Sequence, residues 1–291
     1  MEISSWWIDF ILASIRGATP LIYCALGVLI AEEVGVIYIG VEGVMLVGAL
    51  AGILGVIFGG NLWAGLFLTL VAGVLCGFFL SFFLIWLPID QVAAGIVFNL
   101  TALGFTSYIF RLCGAQAQKI VPTMKPLFLK ISSFGVMAFI MVFFTWWFLF
   151  KTASGLKIRS IGENMHAAES MGIDIIKVRT VVFIIACVFS AFGGAALTLG
   201  WVRVFADNIT MGRGFIALAA VYFAKWNPLF VLIGTLIFGA GEVLAFRSQA
   251  TMSSINQYYF FMLPYALTIL VIGLRGKSRG PAETGKSYIR R

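Results

Sequence analysis

Apolar stretches run over residues 8–31, 41–60, 63–87, 91–111, 131–151, 180–202, 228–246 and 258–274. None alternates apolar and polar positions, and all are too long for the strands of a barrel, so the pattern predicts helices. A helix that crosses a bilayer needs about 20 apolar residues, and these runs are of that length. From Val41 to Phe110 only Glu42 and Asp90 carry charge, which embeds the first half of the chain densely. The expected fold is all-α, a polytopic transmembrane helix bundle forming a single transmembrane domain over residues 1–291.

Two segments interrupt this pattern. Residues 151–179 hold Lys151, Lys157, Arg159, Lys177 and Arg179; residues 275–291 hold Arg275, Lys277, Arg279, Lys286, Arg290 and Arg291. Lys and Arg retain flanking segments in the cytoplasm, so a cytoplasmic segment at 152–178 and a cytoplasmic tail at 275–291 are expected. An even number of crossings must then separate them, yet only three full-length runs do. The missing crossing is assigned to the short apolar piece 214–224, whose 11 residues reach roughly 16 Å at 1.5 Å per residue. Short helices at membrane depth persist where protein buries them or where they line a cavity. The expected count is about nine spans (eight to ten), with the N-terminus outside. That orientation leaves the loop 112–130 external although it carries Lys119, Lys125 and Lys130.

Composition narrows the class. Of 291 residues 61% are hydrophobic and 11% charged, against roughly 25% charged in soluble domains. The net charge of +8 sits at membrane edges instead of forming a stripe on a soluble face, so it argues topology and no nucleic-acid partner. Cys24, Cys76, Cys113 and Cys187 are far apart and His166 is the only histidine, which supports neither a metal site nor a disulfide framework. Residues 1–9 have two acids and no basic residue, so the first apolar stretch reads as retained, not as a cleaved signal. Glycines four apart, such as Gly48 with Gly52, Gly55 with Gly59 and Gly73 with Gly77, suit close helix packing in lipid.

Outside the apolar runs the most informative stretch is Gly162-Glu163-Asn164-Met165-His166-Ala167-Ala168-Glu169-Ser170-Met171-Gly172-Ile173. Asn164 is a suitable N-cap, the alanines favour helix, and Gly172 is a typical stop. Glu163 opposes the positive pole of the helix. Two turns are too short to be stable alone, so this helix must dock, on its own bundle or on a soluble partner.

This stretch resembles the coupling-helix motif G-x-N-P-x-A-A-x-x-x-G-I of ABC importer permeases, in the branch of ribose, branched-chain amino acid and nucleoside permeases. Residues 32–46, EEVGVIYIGVEGVML, are similar to the nucleoside and simple-sugar pattern E-R-x-G-V-x-N-I-G-x-E-G-x-M-L. Met211-Gly212-Arg213-Gly214-Phe215-Ile216-Ala217-Leu218-Ala219-Ala220 with Trp226-Asn227-Pro228 resembles the G-x-G-F-I-A-L-A-A…W-N-P signature. Glu33, Tyr38 and Met165 stand where those patterns have Arg, Asn and Pro. The resemblance covers roughly residues 10–275. It implies a permease subunit in the bacterial cytoplasmic membrane, partnered by an ABC ATPase, a second related permease (a heterodimer) and an extracytoplasmic substrate-binding protein. The substrate it implies is a nucleoside-like compound or a simple sugar, with riboflavin as an alternative. Gly162, Glu163, Asn164, His166, Ala167, Ala168, Glu169 and Gly172 would couple this chain to the ATPase.

The pathway residues expected are Glu42, Asn99, Thr101, Gly214, Phe215 and Glu242. A charge at the bilayer centre costs about 2.5–3.5 kcal/mol, so the acids must face the bundle interior or be paired. Glu42 reads either as a pathway group or as a hydrogen-bonding partner of a broken helix end beside Gly40 and Gly43. Glu242 reads as a pathway group or as a paired structural acid. Asn99 could bind a substrate hydroxyl, a base edge or another helix, and Arg213 reads as a mark of the outer membrane edge. A proton-coupled secondary transporter using Glu42 or Glu242 is the competing class. An intramembrane enzyme lacks the paired acids, His/Ser pairing or ligand spacing it would need. No catalytic residue, metal or cofactor is expected. The nearest approach to a phosphate loop, Gly276-Lys277-Ser278, has Val271 where its first glycine belongs, so ATP and Mg belong on the separate ATPase.

Overall fold

The computed structural model describes residues 3–87, 89–113, 126–128, 131–251, 266, 273 and 280–288. In chain order the helices are α1 (Ile3–Glu33), α2 (Val41–Gly59), α3 (Leu62–Ser81, continued by a π-helical turn Phe82–Trp86) and α4 (Gln91–Cys113). A short antiparallel ribbon, β1 (Pro126–Phe128) with β2 (Ile131–Ser132), precedes α5 (Ser133–Lys151). Then come α6 (Ala153–Glu163), α7 (Met165–Ser170), α8 (Ile175–Leu197, continued by a π-helical turn Thr198–Val202), α9 (Arg213–Ala224) and α10 (Pro228–Thr251).

Seven of these, α1 to α5, α8 and α10, are long and apolar enough to cross a membrane. With the short α9 and the apolar run 258–274, which but for residues 266 and 273 lies outside the described residues, they agree with a bundle of about nine spans. Lys119, Lys125 and Lys130 also lie outside the described residues. Helix boundaries follow local chemistry. Asn61 accepts from the Ala64 amide at 2.7 Å to start α3, and Asp174 accepts from the Lys177 amide at 3.2 Å to start α8. That second cap begins α8 five residues before the apolar run at 180.

At the centre of the bundle α8 packs on α1, α2 and α3, and small residues set the spacing. A methyl group on Gly194 would lie 1.9 Å from the Met45 carbonyl oxygen, and one on Gly48 would lie 2.3 Å from that of Ala191. Added at Gly73 or Gly77 it would press on the α8 backbone at Val188 or Ile184. The glycine pairs of the sequence are thus packing surfaces, where backbones meet without side chains between them. α4 lies at the periphery, its Ile96, Val97, Leu100, Phe105 and Tyr108 exposed, as suits a helix solvated by acyl chains or by another subunit.

The two basic segments meet at one end of the bundle. The Glu283 amide donates to the Gly162 carbonyl at 2.8 Å, which ties residues 280–288 to the end of α6. An even number of crossings between the segments requires that arrangement.

Candidate functional site

Between α1 and α2 the chain unwinds. Gly35 has φ +82°, a left-handed conformation that favours glycine, and reverses the chain just past the end of α1. Val34, Val36 and Tyr38 that follow are fully buried. Irregular backbone inside a membrane protein must find hydrogen-bond partners in the protein, and here side chains from distant helices supply them. Gln91 at the start of α4 accepts from the Ile37 amide at 2.8 Å. One turn past the middle of that junction, Asn99 donates to the Ile39 carbonyl at 2.9 Å and accepts from the Gly43 amide at 2.8 Å. Arg179, buried within α8, donates to the Gly35 carbonyl at 2.9 Å. Tyr38 packs its ring edge-on against Phe183, centroids 5.0 Å apart.

Residues flanking that segment, Glu32 at the end of α1 and Glu42 at the start of α2, hold both ends of α9. Gly212, which precedes α9, offers no capping side chain. Glu42 supplies the cap from 170 residues away: one carboxylate oxygen accepts from the Gly212 amide at 2.8 Å and the other from the Gly214 amide at 2.6 Å. A carboxylate at a helix N-terminus is stabilised by the unpaired amides and by the helix dipole. Gly214 is required by the approach, since a methyl group there would lie 2.7 Å from Oε2 and 2.8 Å from Cα of Glu42. Just past the other end of α9, the Trp226 indole N–H donates to Glu32 Oε2 at 2.6 Å. The 12 residues of α9 span about 18 Å, so Glu42 stands roughly half a membrane thickness away from the end where Glu32 sits.

Arg213, expected to mark a membrane edge, is instead buried. It pairs with Glu242 of α10, donates to the Ile209 carbonyl at 2.9 Å and lies 5.7 Å from the Trp201 ring. Burying an ion pair is tolerable when further hydrogen bonds satisfy it, and the Ile209 and Thr210 carbonyls do so here.

Beneath the junction lies the α6–α7 segment. Asn164 caps α7 by accepting from the Ala167 amide at 3.0 Å, and Gly172, with φ +80°, closes the turn after it. Met165 and Ala168 face inward and are buried; Glu163, Asn164, His166 and Ala167 are exposed, and Glu169 is half-buried. Gly162 abuts the Glu33 carbonyl, where a methyl group would come within 2.3 Å. Met165, standing where the resembling motif has Pro, places its sulfur 3.5 Å from the Arg179 guanidinium. The tail threads through the same place: Gly285 donates to the Gly35 carbonyl at 3.2 Å, Arg179 donates to the Lys286 carbonyl at 3.3 Å, and the Tyr288 ring lies 6.3 Å from that of His166.

Glu42, Asn99, Gly214 and Glu242 therefore share one neighbourhood around the starts of α2 and α9. Thr101 does not join them: it is exposed, bonds the Val97 carbonyl of its own helix and lines an apolar cleft of 310 Å³ between α3 and α4. Phe215, in the first turn of α9, is 45% exposed, and its amide donates to the Gly212 carbonyl at 3.0 Å. Sequence reasoning overlooked Gln91, Glu32, Arg179 and the docking of residues 280–288. Gln91 and Glu32 are polar residues bordering apolar runs, the signal that drew attention to Asn99 and Glu42. Nothing local marks Arg179 or the tail.

A family model described as the permease component of branched-chain amino acid transport systems matches residues 10–272. The guanosine ABC transporter permease protein NupQ of Bacillus subtilis is 34% identical over 304 residues, covering 96% of this chain and 95% of that protein. The putative glucose ABC transporter permease protein TsgC13 of Haloferax volcanii is 32% identical, covering 82% of this chain and 77% of its own length. The nucleoside ABC transporter permease protein NupC of Lactococcus lactis is 28% identical, with 94% of each chain covered. No solved structure matches.

Proposed function

This chain belongs to the family of permease components of branched-chain amino acid transport systems, and from that premise we propose that it carries a nucleoside-like substrate across the cytoplasmic membrane. It is a multi-pass membrane protein and a permease subunit of an ABC importer. Two of the relatives are named as guanosine and nucleoside permeases over nearly the whole chain, which supports a nucleoside over a simple sugar; riboflavin remains a compound to include in screening. The family also contains permeases named for glucose and autoinducer import, so the fold does not by itself select the substrate.

The mechanism follows from the junction. The exposed face formed by the end of α6 and α7, with Glu163, Asn164, His166, Ala167 and Glu169, docks on a separate ATPase that binds ATP and Mg. Movement of that face is passed through Gly162 to the Glu33 carbonyl and through Met165 to Arg179, and so to the unwound segment 34–40. Because Glu32 and Glu42 hold the two ends of α9, a shift of the segment displaces α9 as a body. α9 is the short helix at membrane depth, and its N-terminal turn with Phe215 lines the pathway. The observation that carries this reading is the contact of all three resembling motifs in one place, with α7 at its exposed end. No covalent step is assigned to the chain.

The competing proton-coupled reading loses its two acids. Both Glu42 oxygens accept backbone N–H groups and Glu242 is paired with Arg213, so each acid that reading would use already holds a structural partner.

Affinity purification from native membranes in mild detergent tests the proposal, followed by uptake of labelled nucleosides, sugars and riboflavin. Co-purification of an ATPase and a second related permease, with uptake competed by guanosine, is the expected result. A protein recovered without an ATPase even after cross-linking near His166, with uptake abolished by an uncoupler while ATP stays high, would overturn it.

A further inference from the structure

We propose that the cleft between α5, α6 and α8 binds one anionic phospholipid, with its acyl chain along the apolar wall and its phosphate at Lys157 and Lys177. The cleft has a volume of 540 Å³, and Phe148, Val181 and Ile185 are among the apolar side chains of its wall. Both lysines line it and both are exposed. Lys157 has no ion pair among the described residues, whereas Lys177 pairs with Asp174 at 2.9 Å. An ammonium has three donors, so Lys177 can hold a phosphate oxygen while keeping Asp174.

A second observation within the cleft points to an amphiphile. Thr145 lines the cleft and is 2% exposed, and its hydroxyl, buried behind the cleft wall, has no hydrogen-bond partner among the described residues. Most buried threonines in helices bond a carbonyl of the preceding turn, as Thr106 does with Ala102 at 2.8 Å. An unpartnered buried hydroxyl carries an uncompensated desolvation penalty. With the Thr145 side chain turned toward the cleft, a lipid ester carbonyl would accept from it below a phosphate held at the rim. Thr145 lies six residues before Lys151 at the end of α5, about 9 Å along the helix, a depth suited to the ester region when the phosphate is at the interface.

The chemistry excludes the transported compound as occupant. A nucleoside buries several hydroxyls and ring nitrogens, each needing a partner, and besides the two rim lysines the cleft offers only the Thr145 and Ser154 hydroxyls between apolar walls. A neutral lipid would satisfy the wall but not the lysines, each of which favours an anionic headgroup by about fivefold near the membrane surface. This inference rests on the reading that α6 and α7 face the cytoplasm, since it draws the lipid from that leaflet. α6 is one wall of the cleft and leads directly into α7, so the bound lipid braces the segment that carries docking to the junction.

The test is native mass spectrometry of the full-length purified protein titrated with phosphatidylglycerol and phosphatidylcholine of identical acyl chains. The wild type is expected to retain phosphatidylglycerol at least fivefold better. Lys157→Gln with Lys177→Gln should bring the two lipids to equal retention, and Lys157→Arg with Lys177→Arg should restore the preference. Val181→Trp, which fills the exposed wall, should lower retention of both lipids. Lys151→Gln, at the same end of α5 but outside the cleft, should leave the preference unchanged. Equal retention by the wild type, or a preference that survives the double glutamine change in a monodisperse protein, would overturn the site. Sidedness is read separately by labelling His166→Cys with a membrane-impermeant reagent, against the wild-type background. Labelling from outside would overturn the orientation while leaving the lipid titration to stand or fall alone.

Discussion

Around α8 and around the junction at 34–40 the chain brings backbone close to other elements, by different means. Within the body of α8 the backbone groups are satisfied within the helix, so neighbours need only small residues to approach: Gly48 against Ala191, Gly194 against Met45. At the junction the backbone is unwound, and Gln91, Asn99 and Arg179 must reach from other elements to pair it. Both solutions follow from the lack of water in the bilayer core. The first depends on volume and tolerates no added atoms; the second depends on polar atoms and tolerates isosteres in proportion to the hydrogen bonds they keep. A rigid α8 beside a side-chain-braced junction is also a suitable division for a transporter, because side-chain hydrogen bonds can be exchanged while helical ones persist.

Changes at α8 should be the most damaging. Gly194→Val drives its side chain into the Met45 carbonyl, a cost above roughly 3 kcal/mol by the measure of overpacked cores, and no monodisperse species should elute from a sizing column in detergent. Gly104→Ala, where a methyl group would meet nothing within 4 Å, should elute as wild type. If both behave alike, the glycines do not set the spacing.

Glu42→Ala comes next. It leaves the Gly212 and Gly214 amides buried without acceptors, each at about 1–3 kcal/mol, and should lower the thermal midpoint of the purified protein clearly. Glu42→Gln keeps one accepting oxygen and should lose about half as much. A glutamine variant as stable as wild type but deficient in uptake would show that the charge acts in transport and not only as a cap.

At the opposite end of α9 the expected effect is smaller still. Glu32 is fully buried, its Oε2 takes the Trp226 N–H, and the Tyr222 hydroxyl lies beside the same carboxylate. Glu32→Gln retains an accepting oxygen and should cost less than about 1 kcal/mol; an effect as large as that of Glu42→Ala in the same melting assay would remove the asymmetry between the ends of α9.

On the surface of α7 the expected effect on stability is nil. Glu163→Lys and Glu169→Lys change an exposed and a half-buried acid, so melting should be unchanged while ATPase co-purification and uptake fall about five- to tenfold, the scale of a reversed charge at a docking rim. Uptake at the wild-type rate in both variants would remove α7 from the coupling route.

Membrane class, helix type and the approximate span count were legible in the chain because each depends on local runs: hydrophobicity over a bilayer thickness, period and basic flanks. The N-cap at Asn164, the stop at Gly172 and the short helix near 214–224 were legible for the same reason, being set within a turn or two of sequence. The polar residues within apolar runs were visible as costly, but not what compensated them. Glu42 and Gly212 are 170 residues apart, Arg213 and Glu242 are 29 apart, and Arg179 and Gly35 are 144 apart. A hydrogen bond requires two groups within about 3 Å, and no local pattern states which distant groups the packing of α8 against α1, α2 and α3 will bring that close. The sequence by itself determined that these groups need partners; only the tertiary structure decided which ones they have.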